Sequence, residues 1–594
     1  PPPPPPPPLF FLMIRRPQRS TQGVSSAASD VYKRQLMSST YLSKLETVSD
    51  AIAKYMADIG ISVIFGVISI HNMPILDAIA RQNKIRFVPT RGEAGAINMA
   101  DSYSRVSGNL GVCITSTGTA AGNAAGSQLE ALTAGSKVLH ITTQIDTELL
   151  DCNSSAIHSV PNQPDMLKSI SKAYFFIKSA KQTLETISAA ISSAISPPAG
   201  PVSLEIPIDV QLSQLSYPRS IERPKPSRIL ISEKSIEELA ELVKKSKRPM
   251  LWLGGGSRSA SVEATELINR GFGVVTSTNG RATVDESHRA NLGAFNMTQA
   301  ASLIYSKSDL MIVVGSKLRG NETLNYKMKL PPLVQIDAHD FRGVRNYKTQ
   351  KFIHGDAKEV LQKLLELLPE KLNFDKEFHD DIEKARMLSE SQLLEKLGPY
   401  SSIANTLKDI VYSGSHPWVR DVTIANSTFG NRYVKIAKAF LGVHALGGGI
   451  GQGISMGIGA AIASEKTKAI VLIGDGGAML GLAEMITAVS ENAPLVYVLM
   501  NDQAYGVIEN IQDAQYDSRR HYSKLDVPDF SIFCQSIKLP HQIVKDVKDF
   551  QSSIEKALKA KGPQMVEVDM CSIGPYAETF SGPPAGSANT KEVA

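Results

Sequence analysis

Between Lys468 and Gly506 the chain reads KAIVLIGDGGAMLGLAEMITAVSENAPLVYVLMNDQAYG, and this run of apolar segments and turns admits few folds. Ala469 to Ile473 has the length and β-branched content of a buried strand. A glycine-rich turn follows, Gly474-Asp475-Gly476-Gly477, and then a helical segment with Leu482, Met485, Ile486 and Val489 at spacings of three and four. A second apolar strand, Leu495 to Met500, ends in Asn501-Asp502. Strand, turn, helix and strand close into a parallel βαβ unit. Open α/β sheets bind ligands at the carboxyl ends of their strands, which is where Asp475 and Asp502 fall. Two side-chain oxygens there suit a hard divalent cation such as Mg2+. The N–H groups of Gly476 and Gly477, at a helix start, suit a diphosphate.

The remainder of the chain repeats the alternation. A helix is predicted over 44–60, strands over Val63–Val67, Arg86–Val88, Gly111–Thr115 and Val138–Thr142, and helices over 93–107 and 123–134. Pro-rich, charged residues 216–227 read as a linker. Pro249–Leu253, leading into Gly254-Gly255-Gly256, Leu310–Val314 and Leu333–Ile336, reaching Asp337, are the strands of a second α/β unit, and 371–400 reads as a solvated connecting helix. The predicted fold class is α/β, with three doubly wound parallel-sheet domains over 37–215, 228–370 and 401–594. A chain of 594 residues has room for them at roughly 150 residues per domain.

Residues 1–36, eight prolines followed by LFFLMIRRPQRSTQGVSSAASDVYKRQ, resemble translated adapter or vector sequence, and the native chain is expected to start at Met37. A disordered Pro-rich tail is the alternative. Arg15, Arg16, Arg19, Lys33 and Arg34 against Asp30 place +4 of the chain's net +5 in this leader. No basic stripe with interleaved aromatics remains, so no nucleic-acid partner is expected. No apolar run reaches the roughly 18 residues of a membrane span, so none is expected there either. Cys113, Cys152, Cys534 and Cys571 lack metal-type spacing and read as buried free thiols of a reducing, cytoplasmic compartment.

The 468–506 stretch resembles the GDG…NN signature of thiamine-diphosphate enzymes. The resemblance implies thiamine diphosphate and Mg2+ as cofactors, with Asp475, Asp502 and the carbonyl of Ala504 on the metal, and Gly474, Gly476, Gly477 and Tyr505 beside the cofactor. Asp502 departs from the family's usual Asn. GEAGAINMADSYSRVSG, from Gly92, is similar to the family's HEGGAxxMAxGYARxTG. It implies that Glu93 is the carboxylate that bonds the aminopyrimidine ring and promotes the C2 ylid; read alone, Glu93 is a helix-start residue favoured by the dipole. Thr115 to Asn123 resembles TSGPGxxN with Thr119 for its Pro, which implies Gly118 and Asn123 at the site. His444 to Gly451 resembles the GLGTMG-type loop, with Gly448 and a wedge residue, Ile450, beneath the cofactor; a buried, packing Ile is the plain reading.

Gly66 to His71 looks like the GxxGAH segment of benzaldehyde-lyase-type and hydroxyacyl-CoA-lyase-type members, whose His shuttles protons. A lone His at a strand end is otherwise structural or exposed. Gln144 occupies the place of a substrate-side Gln of acetolactate synthases. The resemblance implies that Val507 occupies the position that faces the donor substrate in many relatives, and Tyr505 to Tyr522 reads as a mobile flap. Pro201 to Gln211 resembles the GPVxxxxPxDVQ end of the first domain. The three domains are then pyrimidine-binding, central Rossmann-like and diphosphate-binding. The central one is empty or FAD-bearing among relatives, and Arg319 departs from the FAD-bearing pattern, which weighs against FAD.

Acetolactate-synthase-like decarboxylation and carboligation of a 2-oxo acid is the function implied. The alternatives are a 2-oxo acid decarboxylase or 2-hydroxyacyl lyase, favoured by His71, and a non-catalytic cofactor-binding paralogue, against which Glu93 argues. The paired His of pyruvate-decarboxylase-type enzymes is not visible, since only His140 and His158 follow in the first domain. The family's sites lie between subunits, which implies a homodimer or homotetramer.

Overall fold

The computed structural model describes residues 46–150, 152, 155–340, 347–464 and 466–580; the predicted leader and the start at Met37 lie outside them. Three parallel sheets are wound in α/β order. The first contains β1 (Val63–Gly66), β2 (Arg86–Pro89), β3 (Gly111–Thr115), β4 (Val138–Gln144), β5 (Ala173–Phe176) and β6 (Val202–Pro207). The second contains β7 (Pro249–Leu253), β8 (Gly273–Thr276), β9 (Leu310–Val314), β10 (Leu333–Asp337) and β11 (Lys351–His354). The third contains β12 (Trp418–Arg420), β13 (Gly442–His444), β14 (Ala469–Gly474), β15 (Leu495–Asn501), β16 (His541–Val544) and β17 (Gln564–Asp569).

The first sheet runs β2-β1-β3-β4-β6-β5 and the third β13-β12-β14-β15-β17-β16. Counted within each sheet these are the same order, so the two domains are one fold used twice. The second runs β11-β10-β9-β7-β8, the flavodoxin-type order. Each sheet therefore has a crevice where the winding reverses: between β1 and β3, β7 and β9, and β12 and β14. Such crevices, at the carboxyl ends of the strands, are the ligand positions of doubly wound sheets.

Two helices join the like domains. Helix α1 (Glu93–Ser107) starts with an acid, carries Arg105 in its last turn and ends at Gly108 with φ 75°, matching the helix dipole and the left-handed C-terminal turn. Helix α2 (Gly453–Ala463), GISMGIGAAIA, is apolar on all sides and accordingly buried. It lies between the third sheet, where Gly457 abuts Val471, and α1, where Gly459 abuts Met99. Val63, Phe65 and Met99 from one side and Ile454, Val471 and Leu499 from the other form one apolar cluster, so the two domains share a core.

Several expectations need adjustment. The predicted 123–134 helix is two, Thr119–Asn123 and Ala125–Ala134, broken at Ala124. Strands β5 and β6 were not predicted, although Val202-Ser203-Leu204-Glu205-Ile206 of β6 alternates apolar and polar residues. The predicted flap contains a helix, Gly506–Gln515, none of whose residues is buried. Cys113 and Cys534 are buried free thiols as expected, but Cys152 and Cys571 are exposed.

Candidate active site

Strands β14 and β15 are neighbours, with Gly474 opposite Met500, so Asp475 and Asp502 emerge side by side. Asp475 is 1% exposed, and its Oδ2 has no hydrogen-bond partner. Burial, then the adjacent Asp475 charge, pushes the Asp502 carboxyl up to about 8. Burial likewise raises Asp475. The N–H of Ala504 faces both carboxyls. No salt bridge reaches either acid among the described residues. A buried and a half-buried carboxyl group side by side, with an orphaned oxygen and no ion pair among the described residues, form an all-oxygen donor set that fits Mg2+.

The glycine turn is tightly enclosed. A Cβ on Gly476 would stand 2.6 Å from the Tyr505 ring, and one on Gly477 would stand 2.8 Å from Asp421 Oδ2 and 3.5 Å from Ile450 Cγ1. Tyr505, Ile450 and Asp421 thus pack against the α-carbons of the two glycines whose N–H groups are expected to meet a diphosphate. Gly448 has φ 81°, a conformation that favours glycine, and it opens the segment carrying Ile450. Ile450 is 37% exposed rather than buried, as a residue facing a site must be.

Asp421 was missed by sequence reasoning; a lone Asp after the three-residue strand β12 carries no recognisable signal. Its carboxylate accepts N–H bonds from Val422 (2.7 Å), Gly451 (3.0 and 3.1 Å) and Gly453 (3.2 Å). Burial raises its pKa to about 6 against those bonds.

The β1–β3 crevice collects the second group. Glu93 is the first residue of α1, and Asn123 Nδ2 donates to its Oε2 at 3.2 Å. Gly118, with φ 66°, donates its N–H to Gln163 Oε1 at 2.6 Å, and its α-carbon face lies against the carbonyl of His158. His71, 7% exposed, has its Nδ1 3.2 Å from that of His158. The rings meet edge to face at 5.1 Å. Burial and then the charge of His158 lower the His71 pKa, and Asp146 opposes them. His71 and His158 therefore form a pair that the sequence reading did not anticipate. Its members are 87 residues apart, a separation at which no sequence pattern signals contact.

Gln144 is turned inward. Its Oε1 accepts from Thr117 Oγ1 (3.2 Å) and Ile145 N–H (2.9 Å), and its Nε2 donates to Glu205 (2.8 Å). It braces the loop before Gly118. Among the described residues, the hydrogen bonds of Glu93 share no partner with those of Asp475 and Asp502.

A separate cavity of about 530 Å3 opens at the ends of β7, β9 and β10, lined in part by Gly255, Lys317, Arg319, Asp337 and His339. Arg319 Nη1 donates to the Leu446 carbonyl at 2.8 Å.

Two sheets of one strand order, each with glycine turns and carboxylates at its strand ends, define a class: three-domain α/β proteins with two like domains flanking a flavodoxin-type one in sequence. The family models agree. The thiamine pyrophosphate enzyme N-terminal TPP binding domain matches residues 46–169, the central domain 236–364 and the C-terminal TPP binding domain 423–568. The chain belongs to the thiamine pyrophosphate enzyme family. It is similar to a probable acetolactate synthase large subunit of Methanococcus aeolicus, 24% identical over 87% of this chain and 91% of the relative. The acetolactate synthase isozyme 1 large subunit of Escherichia coli is 24% identical over 92% and 97%. A probable 2-ketoarginine decarboxylase of Pseudomonas aeruginosa is 26% identical over 79% and 84%. No helix of the described residues is long and apolar enough to cross a membrane.

Proposed function

We propose that this chain binds thiamine diphosphate with Mg2+ and catalyses acetolactate-synthase-like decarboxylation and carboligation of a 2-oxo acid. The observation that carries the reading is the adjacent Asp475–Asp502 pair, with its orphaned oxygen on the buried Asp475, beside the enclosed Gly476-Gly477 turn. Asp475, Asp502 and the Ala504 carbonyl hold the metal, and the Gly476 and Gly477 N–H groups bind the diphosphate. When bound, thiamine diphosphate supplies the electron sink that lets a 2-oxo acid lose CO2.

The protein residues do the remaining work. Glu93, oriented by Asn123, holds a proton at the cofactor's pyrimidine edge. Ile450, which lies beside Gly477, would support the cofactor. Glu93 of one copy meets Asp475 and Asp502 of a second in this reading, so a homodimer is the smallest working unit. FAD is not part of the proposal, since Arg319 stands where FAD-bearing relatives differ.

The His71–His158 pair favours a second reading, a 2-oxo acid decarboxylase or 2-hydroxyacyl lyase. Two imidazoles 3.2 Å apart share one proton between them and can deliver it to a reacting carbon. One experiment separates the readings: incubation with thiamine diphosphate, Mg2+ and a panel of 2-oxo acids including pyruvate, with products followed. Acetolactate from pyruvate supports ligation, and an aldehyde with CO2 supports decarboxylation. No consumption of any 2-oxo acid by cofactor-loaded protein overturns both.

A further inference from the structure

Two buried glutamates outside the cofactor motifs cross between the like domains in opposite directions. Glu130, in the first domain, is 2% exposed. Its Oε1 accepts the Leu446 N–H at 2.7 Å and its Oε2 accepts the Gly447 N–H at 2.6 Å, at the start of the segment that carries Gly448 and Ile450. Arg105 backs this contact. Its Nη2 donates to Glu130 Oε1 at 3.0 Å, its Nη1 donates to the His444 carbonyl at 2.6 Å, and Asp101 pairs with its far edge.

Glu484, in the third domain, is 5% exposed. Its Oε1 alone accepts the N–H groups of Arg91 and Gly92, both at 3.0 Å, in the turn that ends at Glu93, while its Oε2 accepts from Thr487 Oγ1 at 2.7 Å. Both contacts are fitted closely. A Cβ on Gly447 would stand 2.8 Å from Glu130 Oε2, and one on Gly95 would stand 2.7 Å from Glu484 Cδ.

Neither glutamate faces the metal pair or the glycine turn, and each ends on backbone N–H groups of a cofactor-bearing segment in the other domain. We propose that Glu130 and Glu484 are positioning residues, each setting the backbone of the opposite domain's cofactor segment: Glu130 the 446–451 loop, Glu484 the 91–93 turn. The inference rests on the thiamine-diphosphate reading of those segments and adds a division of labour. Glu130 governs cofactor affinity, because its segment carries the support beneath the cofactor. Glu484 governs turnover, because its segment aims Glu93.

The two carboxylates also differ in what an amide could replace. Glu484 uses one oxygen for both N–H groups, so a glutamine can keep that oxygen in place and turn its NH2 toward Thr487, whose hydroxyl can accept. Glu130 uses both oxygens, so a glutamine must aim an NH2 at the N–H of Leu446 or Gly447.

The test compares full-length Glu130→Gln, Glu484→Ala and Glu484→Gln by three measurements: calorimetric titration with thiamine diphosphate in Mg2+, kcat on an accepted 2-oxo acid, and amide hydrogen exchange of the cofactor-free protein. Loss of one charged hydrogen bond corresponds to about tenfold or more. Glu130→Gln should weaken cofactor binding by about that factor and speed exchange over 444–451. Glu484→Ala should lower kcat by a like factor, speed exchange over 91–95 and leave cofactor affinity within about threefold, with Glu484→Gln recovering most of the loss. If Glu130→Gln does not fold, Glu130→Asp, which withdraws both oxygens by one methylene, should move affinity and exchange the same way. Wild-type affinity and exchange in the Glu130 variant, or equal losses of kcat and affinity in all variants, overturn the proposal. Failure of the wild type to bind thiamine diphosphate overturns the functional reading instead, and the exchange measurement then decides the two clasps by itself.

Discussion

Replacing Gly459 by alanine tests the joint between the two cofactor domains. Gly459 lies on α2 where that helix crosses α1, and a Cβ there would stand 2.7 Å from the Met99 carbonyl carbon, with the Met99 oxygen and Ser102 Oγ closer still. Carbon–carbon contacts settle at about 3.5–4.0 Å, so the helices must part by about 1 Å. Neither can yield by turning a side chain, since the obstruction on α1 is backbone. Behind α1, Gly111 approaches the Ala100 backbone, with a built Cβ 2.7 Å from the Ala100 carbonyl carbon; behind α2, the corresponding position on Gly457 is 2.6 Å from Val471 Cγ2. The strain is therefore transmitted into both sheets. Overpacking of a close-packed core costs about 1–3 kcal/mol, and a backbone obstruction belongs at the upper end, so Gly459→Ala should lose about 3 kcal/mol. Urea denaturation of the full chain, followed by far-UV circular dichroism, reads this as a lower midpoint at unchanged slope. The same displacement should carry Arg91 and Gly92 away from Glu484 and lower turnover. An unchanged midpoint would refute the close helix approach and the shared core built on it.

Asp502→Asn keeps one oxygen for the metal and removes a carboxyl, raised to about 8, that must release its proton when the metal binds, so calorimetry should show Mg2+ and cofactor binding at least as tight as in the wild type. A large loss would give Asp502 a different role. Asp421 makes stability depend on pH: burial raises its folded pKa to about 6 from an ordinary 3.8. Its contribution is therefore fully present below pH 3.8 and lost as pH rises to 6. The stability of the wild type relative to Asp421→Asn should fall by about 3 kcal/mol between pH 3 and pH 7 and stay flat above, as read by denaturation midpoints. A difference independent of pH would contradict the buried, raised carboxyl.

Much of this arrangement was legible in the residues. Apolar runs end where strands end, so β3, β7 and β9 lie where their periodicity placed them, and β14 and β15 extend one residue further. The adjacency of Asp475 and Asp502 follows from a βαβ unit short enough to have one closure. What stayed hidden depends on distant pairing. The shared strand order of the first and third sheets is invisible, because order is set by which strands meet and not by their patterns. His158 could not be assigned to His71, nor Glu130 and Glu484 to the amides they cap, because backbone N–H groups leave no trace in sequence. Gln144 ends β4, two residues past the predicted strand end at Thr142, and Thr117 and Glu205 decide which way its amide turns. The apolar character of Ile450 suggested burial, and only the surrounding geometry shows a face left open beside Gly477.

The most direct measurement pairs wild type with Glu93→Gln: calorimetric binding of thiamine diphosphate in Mg2+, and CO2 release from whichever 2-oxo acid the wild type accepts. General acid–base groups contribute about 10^2–10^4-fold, so Glu93→Gln should bind the cofactor nearly as the wild type does and release CO2 slower by about that factor. Normal CO2 release by Glu93→Gln, or a wild type that binds no thiamine diphosphate, would contradict the assignment of Glu93 and of the site it completes.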